Sequence, residues 1–418
     1  MAALKSAHCG IRNSVSVTLL ESTYRQYSQP MLAYLLRLTE DLDQAQEIWH
    51  ETFLLALQQW PQKPPENPPA WLKITAKNKF IDKYRHHKMT REKVQQLVSE
   101  QQEATDELTD TQFGDEQLKL IFTCCHPALE FDKQVALTLN TVAGLTTAEV
   151  AQALLLSQKT LEQRLTRAKR KIKQAAIPFV IPEPKHLLGR LNAVLKTLYL
   201  MFNSGANQRE DTLELQKNAC FLVRRLSRLI PHQAETEGML ALMLFHQARQ
   251  PARFDTSGEI IPLSEQNRAL WHPDYITEAH EILKTAMQRQ ALGVYQIQAA
   301  IQGVHCHTKQ WSDTDWAEIE ALYRVHLNLD TSPVVELNAI YAMSMSRGPE
   351  CAIAQLKQLE ASAALAQYAP FYAVKADISL RLKNIPAAIE NFTLAEMFSS
   401  SSHEKNHFAR QADALRQA

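Results

Sequence analysis

From Leu145 to Lys173 the chain runs LTTAEVAQALLLSQKTLEQRLTRAKRKIK, a short helix, a turn and a longer cationic helix. Thr146 or Thr147 supplies the N-cap hydroxyl, and Val150, Ala151 and Leu154 recur at helical spacing as the inward face of the first helix. Leu155, Leu156 and Ser157 form the turn. In the second helix Thr160, Leu161, Leu165 and Ala168 point inward, while Lys159, Gln163, Arg164, Arg167, Lys169, Arg170, Lys171 and Lys173 project elsewhere. A helix that enters the major groove needs N-terminal side chains that reach base edges, flanked by cations that hold phosphates. Gln158, Lys159, Thr160, Gln163, Arg164 and Arg167 are of those types at that spacing, with Glu162 as the only acid among them. A solvated basic helix within a bundle has the same composition, so on charge alone both readings stand.

Working towards the N-terminus, residues 98–116 are polar and acidic and read as a linker. Before them a helix is predicted from Pro69 or Ala70 through Trp71, Leu72, Ile74, Ala76, Phe80, Ile81 and Tyr84, ending in a basic tail. Its basic set, Lys73, Lys77, Lys79, Lys83, Arg85, His86, His87 and Lys88, is interleaved with Trp71, Phe80 and Tyr84, a composition suited to tracking a backbone and stacking exposed bases. Phe80 and Ile81 also have core spacing. The proline-rich segment 61–69 excludes helix. A further helix follows Asp41, with Leu42, Ala45, Ile48, Trp49, Phe53, Ala56 and Trp60 as its buried stripe. Its outer side carries Asp41, Asp43, Glu47 and Glu51, which would be repelled by phosphate and should face solvent or a basic protein. From Thr18 to Leu38 the apolar spacing predicts an amphipathic helix pair.

In bulk the chain has 418 residues, 45 Lys and Arg against 45 Asp and Glu, and six scattered cysteines without a C-x-x-C pair. Zero net charge removes any argument for nucleic acid from overall charge, so only local clustering carries it. Free thiols in a reducing cytoplasm fit the cysteine pattern. Residues 1–17 hold no continuous apolar stretch and read as a loose leader, neither a secretory signal nor a membrane span.

Beyond Lys185 the pattern is helical throughout, broken at Pro231, Pro251, Gly258, Pro273, Pro333, Pro349 and Pro386. A shift of 36 residues, from Gly348 to Asn384, sets Ala352 over Ala388, Leu356 over Phe392 and Leu359 over Ala395. The A-x3-F-x2-A spacing at Ala388, Phe392 and Ala395 is that of a tetratricopeptide-like second helix, although any antiparallel helix pair would give the same two copies. His305, Cys306 and His307 have metal-ligand chemistry, as do Cys124, Cys125 and His126, but neighbours along a helix point apart, which favours structural roles. No phosphate loop, nucleophile elbow or metal motif points to an enzyme, and neither cofactor nor metal is expected.

The segments DLDQAQEIWHETFLLALQQW, NPPAWLKITAKNKFIDKYRHHK and LTTAEVAQALLLSQKTLEQRLTRAKRKI resemble, in this order, the polymerase-binding, −10-reading and −35-reading parts of sigma-70 family factors of the extracytoplasmic-function type. FTCCHPAL, LYLMFNSG, YQIQAAIQGVH, TDWAEIEALY and SPVVELNAIYAM resemble a subgroup with a long helical extension. The resemblance implies an all-α chain: a leader (1–17), region 2 (18–90), an acidic linker (91–115), region 4 (116–176), a proline-rich linker (177–184) and a tetratricopeptide-like domain (185–418). It implies core RNA polymerase and promoter DNA as partners, no membrane, and a regulatory or activity-supporting role for the C-terminal domain, with a regulator of its own. By the same resemblance Asp41, Asp43, Glu47, Glu51 and Phe53 bind polymerase. Trp71, Lys77, Asn78, Asp82 and Arg85 lie near the −10 element, and Gln158, Lys159, Thr160, Gln163, Arg164 and Arg167 read the −35 element. Where the family commonly shows A-E-D, this chain has Ala45, Gln46 and Glu47. A helix-turn-helix regulator that never joins polymerase, or an adaptor built on the C-terminal repeats, are the competing expectations.

Overall fold

Pro30 lies inside a helix. The computed structural model describes residues 14–85, 110–154, 156–204, 210–256, 258–399 and 402–417, and its first element, α1 (Ser14–Thr39), is one helix where the periodicity predicts a pair. Proline removes one backbone bond, yet Met31, Ala33 and Leu35 just beyond it are fully buried, and tertiary packing carries the helix through. α2 (Leu42–Gln59) starts at Asp41, whose carboxylate accepts the N–H groups of Asp43 at 3.0 Å and Gln44 at 3.3 Å. Tyr24 of α1 sits 4.6 Å from Phe53 and 5.8 Å from Trp49 of α2, ring centre to ring centre. α3 (Pro68–Arg85) begins with two prolines of the segment expected to exclude helix. A first turn needs no N–H from either, and Asn67 Oδ1 accepts the Ala70 N–H at 3.1 Å. Helices α1, α2 and α3 pack on one another around Leu72, Ala76 and Phe80.

The leader up to residue 13, the end of the region read as region 2 (86–90) and most of the acidic linker (91–109) lie outside the described residues. The linker's last residues are helical: α4 (Asp110–Cys124) takes in 110–115. α5 (Phe131–Thr141) then touches α4, α6 (Thr147–Ala153), α7 (Gln158–Gln174) and α8 (Pro184–Ser204), and its Val135, Ala136, Leu137 and Leu139 are buried among them. Cys124 and Cys125 are free thiols sealed in this core, with Cys125 Sγ 3.7 Å from both Thr138 Oγ1 and Thr197 Oγ1. Burial pushes the Cys125 thiol up to about 11. α9 (Glu210–Leu229) follows α8.

The chain divides into two compact units, Met1–Ala206 with Asp211–Leu226, and Asn207–Glu210 with Ser227–Ala418. In the second, α10 (Ala234–Ala248) is buried nearly all round from Met239 to Phe245 and clasped by α11 (Pro273–Met287) and α12 (Val294–His307). Gly238 lets α12 come close: a Cβ there would lie 2.7 Å from the Gln296 backbone nitrogen. Glu235 caps α12 by accepting the N–H groups of Tyr295 at 3.1 Å and Gln296 at 3.2 Å.

The remaining helices, α13 (Trp316–Leu327), α14 (Pro333–Arg347), α15 (Ile353–Leu359), α16 (Ala369–Arg381), α17 (Ile385–Phe398) and α18 (Ser402–Gln417), run on as successive packed neighbours. Ala352, Leu356 and Leu359 are buried, and so are their 36-residue counterparts Ala388, Phe392 and Ala395. At the two ends of the shift the loops differ, since Gly348 ends α14 at φ +102° whereas Asn384 caps α17 through the Ala387 N–H. Among the described residues there is no strand, only an isolated bridge between Phe254 and Ile260, so the fold is all-α.

Candidate nucleic-acid interface

Helix α7 is set on its partner by local chemistry. Thr146, not Thr147, caps α6: its hydroxyl accepts the Glu149 N–H at 3.3 Å while Glu149 Oε2 accepts the Thr146 N–H at 2.8 Å, a reciprocal capping box. Ser157 caps α7, accepting the Thr160 N–H at 3.1 Å. Leu161, Leu165, Ala168 and Ile172 form the buried stripe of α7. Thr160, expected inward with them, is exposed, its hydroxyl 2.7 Å from that of Ser157, because it lies about 100° around the helix from Leu161 and so off the buried stripe.

On the open side Lys159, Glu162, Gln163, Thr166, Arg167 and Arg170 line one shallow groove. Gln158 is also exposed, its amide donating to Glu162 Oε1 at 3.1 Å. Arg164 stands apart, half-buried and 3.4 Å from Asp132 Oδ2 of α5. Lys133, bonded at 2.8 Å, holds the exposed Glu130 carboxyl below the usual carboxylate range, and the fields of Arg164 and Arg167 add to it. Of the six residues expected to read DNA here, Lys159, Gln163 and Arg167 share the groove; Gln158 and Thr160 flank its N-terminal end.

The second expected set is more dispersed. Trp71 is half-buried with its ring 5.5 Å from that of Trp60, Asn78 and Asp82 are exposed, and Lys77 is only 6% exposed. The Arg85 side chain lies outside the described residues. Lys73 reaches over the Tyr34 ring at 5.9 Å.

The acidic side of α2 is solvent-exposed at Asp43 and Glu47, and its carboxylates are paired with lysines. Glu51 pairs with Lys79 at 3.1 Å, Glu47 pairs with Lys83, and both lysines come from α3. Asp41 accepts from Lys173 Nζ at 2.6 Å, and Lys169 Nζ donates to Asp43 Oδ1 at 2.9 Å and to Gln46 Oε1 at 2.6 Å. Phe53, expected at the polymerase surface, is 4% exposed and belongs to the aromatic core with Tyr24 and Trp49, where it can only position the helix. Lys169 and Lys173 read in sequence as further cations of a basic helix.

In the second unit His305 is buried and stacks on Trp311 at 5.7 Å, while His307 is exposed. Among the described residues no group of three His, Cys, Asp or Glu side chains is placed to hold a metal ion. No described helix is long and apolar enough to cross a membrane.

Compared with known proteins, residues 23–90 match the family described as Sigma-70 region 2, and residues 119–172 match Sigma-70, region 4. Residues 190–287 match a family of unknown function, DUF6596. The chain is 35% identical over 391 residues to an uncharacterized protein, R00370, of Rhizobium meliloti (strain 1021), covering 91% of this chain and 92% of that one. No solved structure matches.

Proposed function

From the premise that the chain belongs to the sigma-70 family, carrying its region 2 and region 4, we propose a promoter-selecting factor of the extracytoplasmic-function type. It joins core RNA polymerase through α2, engages the −10 element through α3 and the −35 element through α7. The observation that carries the reading is the groove on α7, where amide, ammonium and guanidinium groups are exposed side by side on a helix fixed from its buried side. Such a factor performs no covalent step. It supplies binding free energy that favours opened over duplex promoter, offsetting a few kcal/mol, in order of magnitude, for each base unstacked. Each module binds DNA weakly alone; once both are carried by one polymerase, the second contact becomes intramolecular and its effective concentration rises.

For the helices beyond α8 we propose a tetratricopeptide-like regulatory or activity-supporting domain. The recurrence of Ala352, Leu356 and Leu359 as Ala388, Phe392 and Ala395 in buried positions supports it. Run-off transcription with core polymerase, the full chain and genomic promoter fragments tests the whole reading. A defined start site that depends on the chain is the expected result. Stable binding of the protein alone to duplex DNA, with no start site on any template, would instead assign it to helix-turn-helix regulators.

A further inference from the structure

In the second unit a set of polar nitrogens gathers at the C-terminal ends of α10 and α12 without acceptors. Arg249 closes α10, and Arg253 follows the short 3-10 turn 250–252. Arg268 crosses to the end of α12, where its Nη1 donates to His305 O at 2.7 Å and to Thr308 O at 2.8 Å. The Arg268 guanidinium also lies 4.9 Å over the Trp271 ring. Four atoms of this set are shut off from water and have no hydrogen-bond partner: Arg249 Nε, Arg268 Nη2, Trp271 Nε1 and His305 Nδ1. Trp271 is 6% and His305 7% exposed, so neither side chain meets solvent for the missing bond. The charge is equally unbalanced. Burial pushes the Arg249 guanidinium down to about 10, and the charges acting on it include two further cations, Arg253 and Arg268. Its other neighbour, the Cys306 thiol, is raised to about 11 by burial and is uncharged at neutral pH. Glu404 attracts Arg253 and Asp313 attracts Arg268, but among the described residues neither pair comes within ion-pair distance.

We propose that this cluster is a binding site for a small oxyanion, a phosphate group or a dicarboxylate, held by Arg249, Arg268, Trp271 and His305. Guanidinium forks match the oxygens of phosphate and carboxylate, and such a ligand supplies the acceptors and the counter-charge together. Water in the same place would satisfy the N–H groups but leave the neighbouring guanidinium groups uncompensated. Arg249, Arg253 and Arg268 are half-buried rather than sealed, which leaves the cluster open to a solute. All of these residues belong to the second unit. The site goes beyond the function proposed above: binding stands or falls without polymerase, and only its use as a signal to the C-terminal domain rests on that reading.

The test uses the full chain in chloride buffer, titrated with inorganic phosphate or with succinate at constant ionic strength. The melting temperature should rise with the logarithm of the effective anion's concentration, and titration calorimetry should show saturable binding. A response to phosphate alone assigns a phosphate group and to succinate alone a dicarboxylate, and either supports the site. Arg249→Met should abolish binding. Trp271→Phe keeps a ring beneath Arg268 without the indole N–H and should weaken binding about tenfold, with helicity retained. Arg416→Met, at an exposed arginine of α18, should bind as the wild type does. No response of the wild-type chain to either anion overturns the site. So does a response undiminished in Arg249→Met or in Trp271→Phe, which places the anion elsewhere, the cationic groove of α7 included. If Arg249→Met does not fold, the affinity of Trp271→Phe decides alone.

Discussion

Gln163 and Arg167 stand one turn apart in the α7 groove, and their chemistries predict different outcomes. A glutamine amide reads a base edge, so Gln163→Ala should cost about 1–3 kcal/mol at one −35 position and little elsewhere. Arg167 lies further from the helix start and suits phosphate, so Arg167→Ala should weaken all −35 variants alike and reduce the salt slope by about one. Run-off assays over a panel of single-base −35 variants separate the two, and a uniform loss from Gln163→Ala would reassign it. Arg164, legible from sequence as a reader of the same kind, is held by Asp132, a partner 32 positions away that no local pattern announces. Asp41 predicts a pH dependence. Burial raises its pKa, but the Lys173 bond and the N–H groups of Gln44 and Asp43 outweigh that and hold it below the ordinary value. A depressed carboxylate stabilises fully above its unfolded pKa, about 3.9, and that contribution is lost as pH falls through the lower folded value. Asp41→Asn keeps a capping side chain without the charge, so it should be less stable by about 0.5–1 kcal/mol at pH 7. Chemical denaturation should show this deficit shrinking below about pH 4.

Helix boundaries show where local rules hold and where packing overrides them. The α6–turn–α7 element was readable because caps, apolar stripe and cations all lie within one short run, and local and tertiary preferences agree there. Ser157→Ala should remove the α7 cap and cost about 1 kcal/mol, seen as a lower melting temperature and weaker −35 use, with Ser157→Asp largely preserving both. Pro30 and the Pro68–Pro69 pair were harder, because whether proline breaks a helix depends on its position in the turn and on what is buried beyond it. Gly238 carries no signal in sequence, yet an added methyl would meet both the side chain and the backbone of Gln296 within 3 Å. Backbone cannot swing aside as a side-chain tip can, so Gly238→Ala should destabilise the second unit by about 1–3 kcal/mol by calorimetry.

For the whole molecule, the helix-turn-helix and the all-helical class were legible, whereas the contact between α7 and α2 was not. Lys169 and Asp43 are 126 positions apart and Lys173 and Asp41 132, beyond the reach of any periodicity argument. The boundary near Pro184 is similar: α8 follows a proline-rich break, but Leu187, Leu191, Val194, Leu195 and Leu198 are buried in a helix packed on α4 and α5. At about 1.5–3 kcal/mol for each large aliphatic side chain kept from water, a chain ending at Glu183 forfeits more than a small module can spare. It should lose its cooperative melt, whereas a chain ending at Leu229 should retain it; equal behaviour of the two would show that α8 contributes nothing to that core. The sealed Cys124–Cys125 pair lies in that same core, between α4, α5 and α8. An alkylating reagent reaches these sulfurs only when the helices part, so the rate at which they are modified in the native protein is a clock for that separation, ticking inside the molecule without any added label.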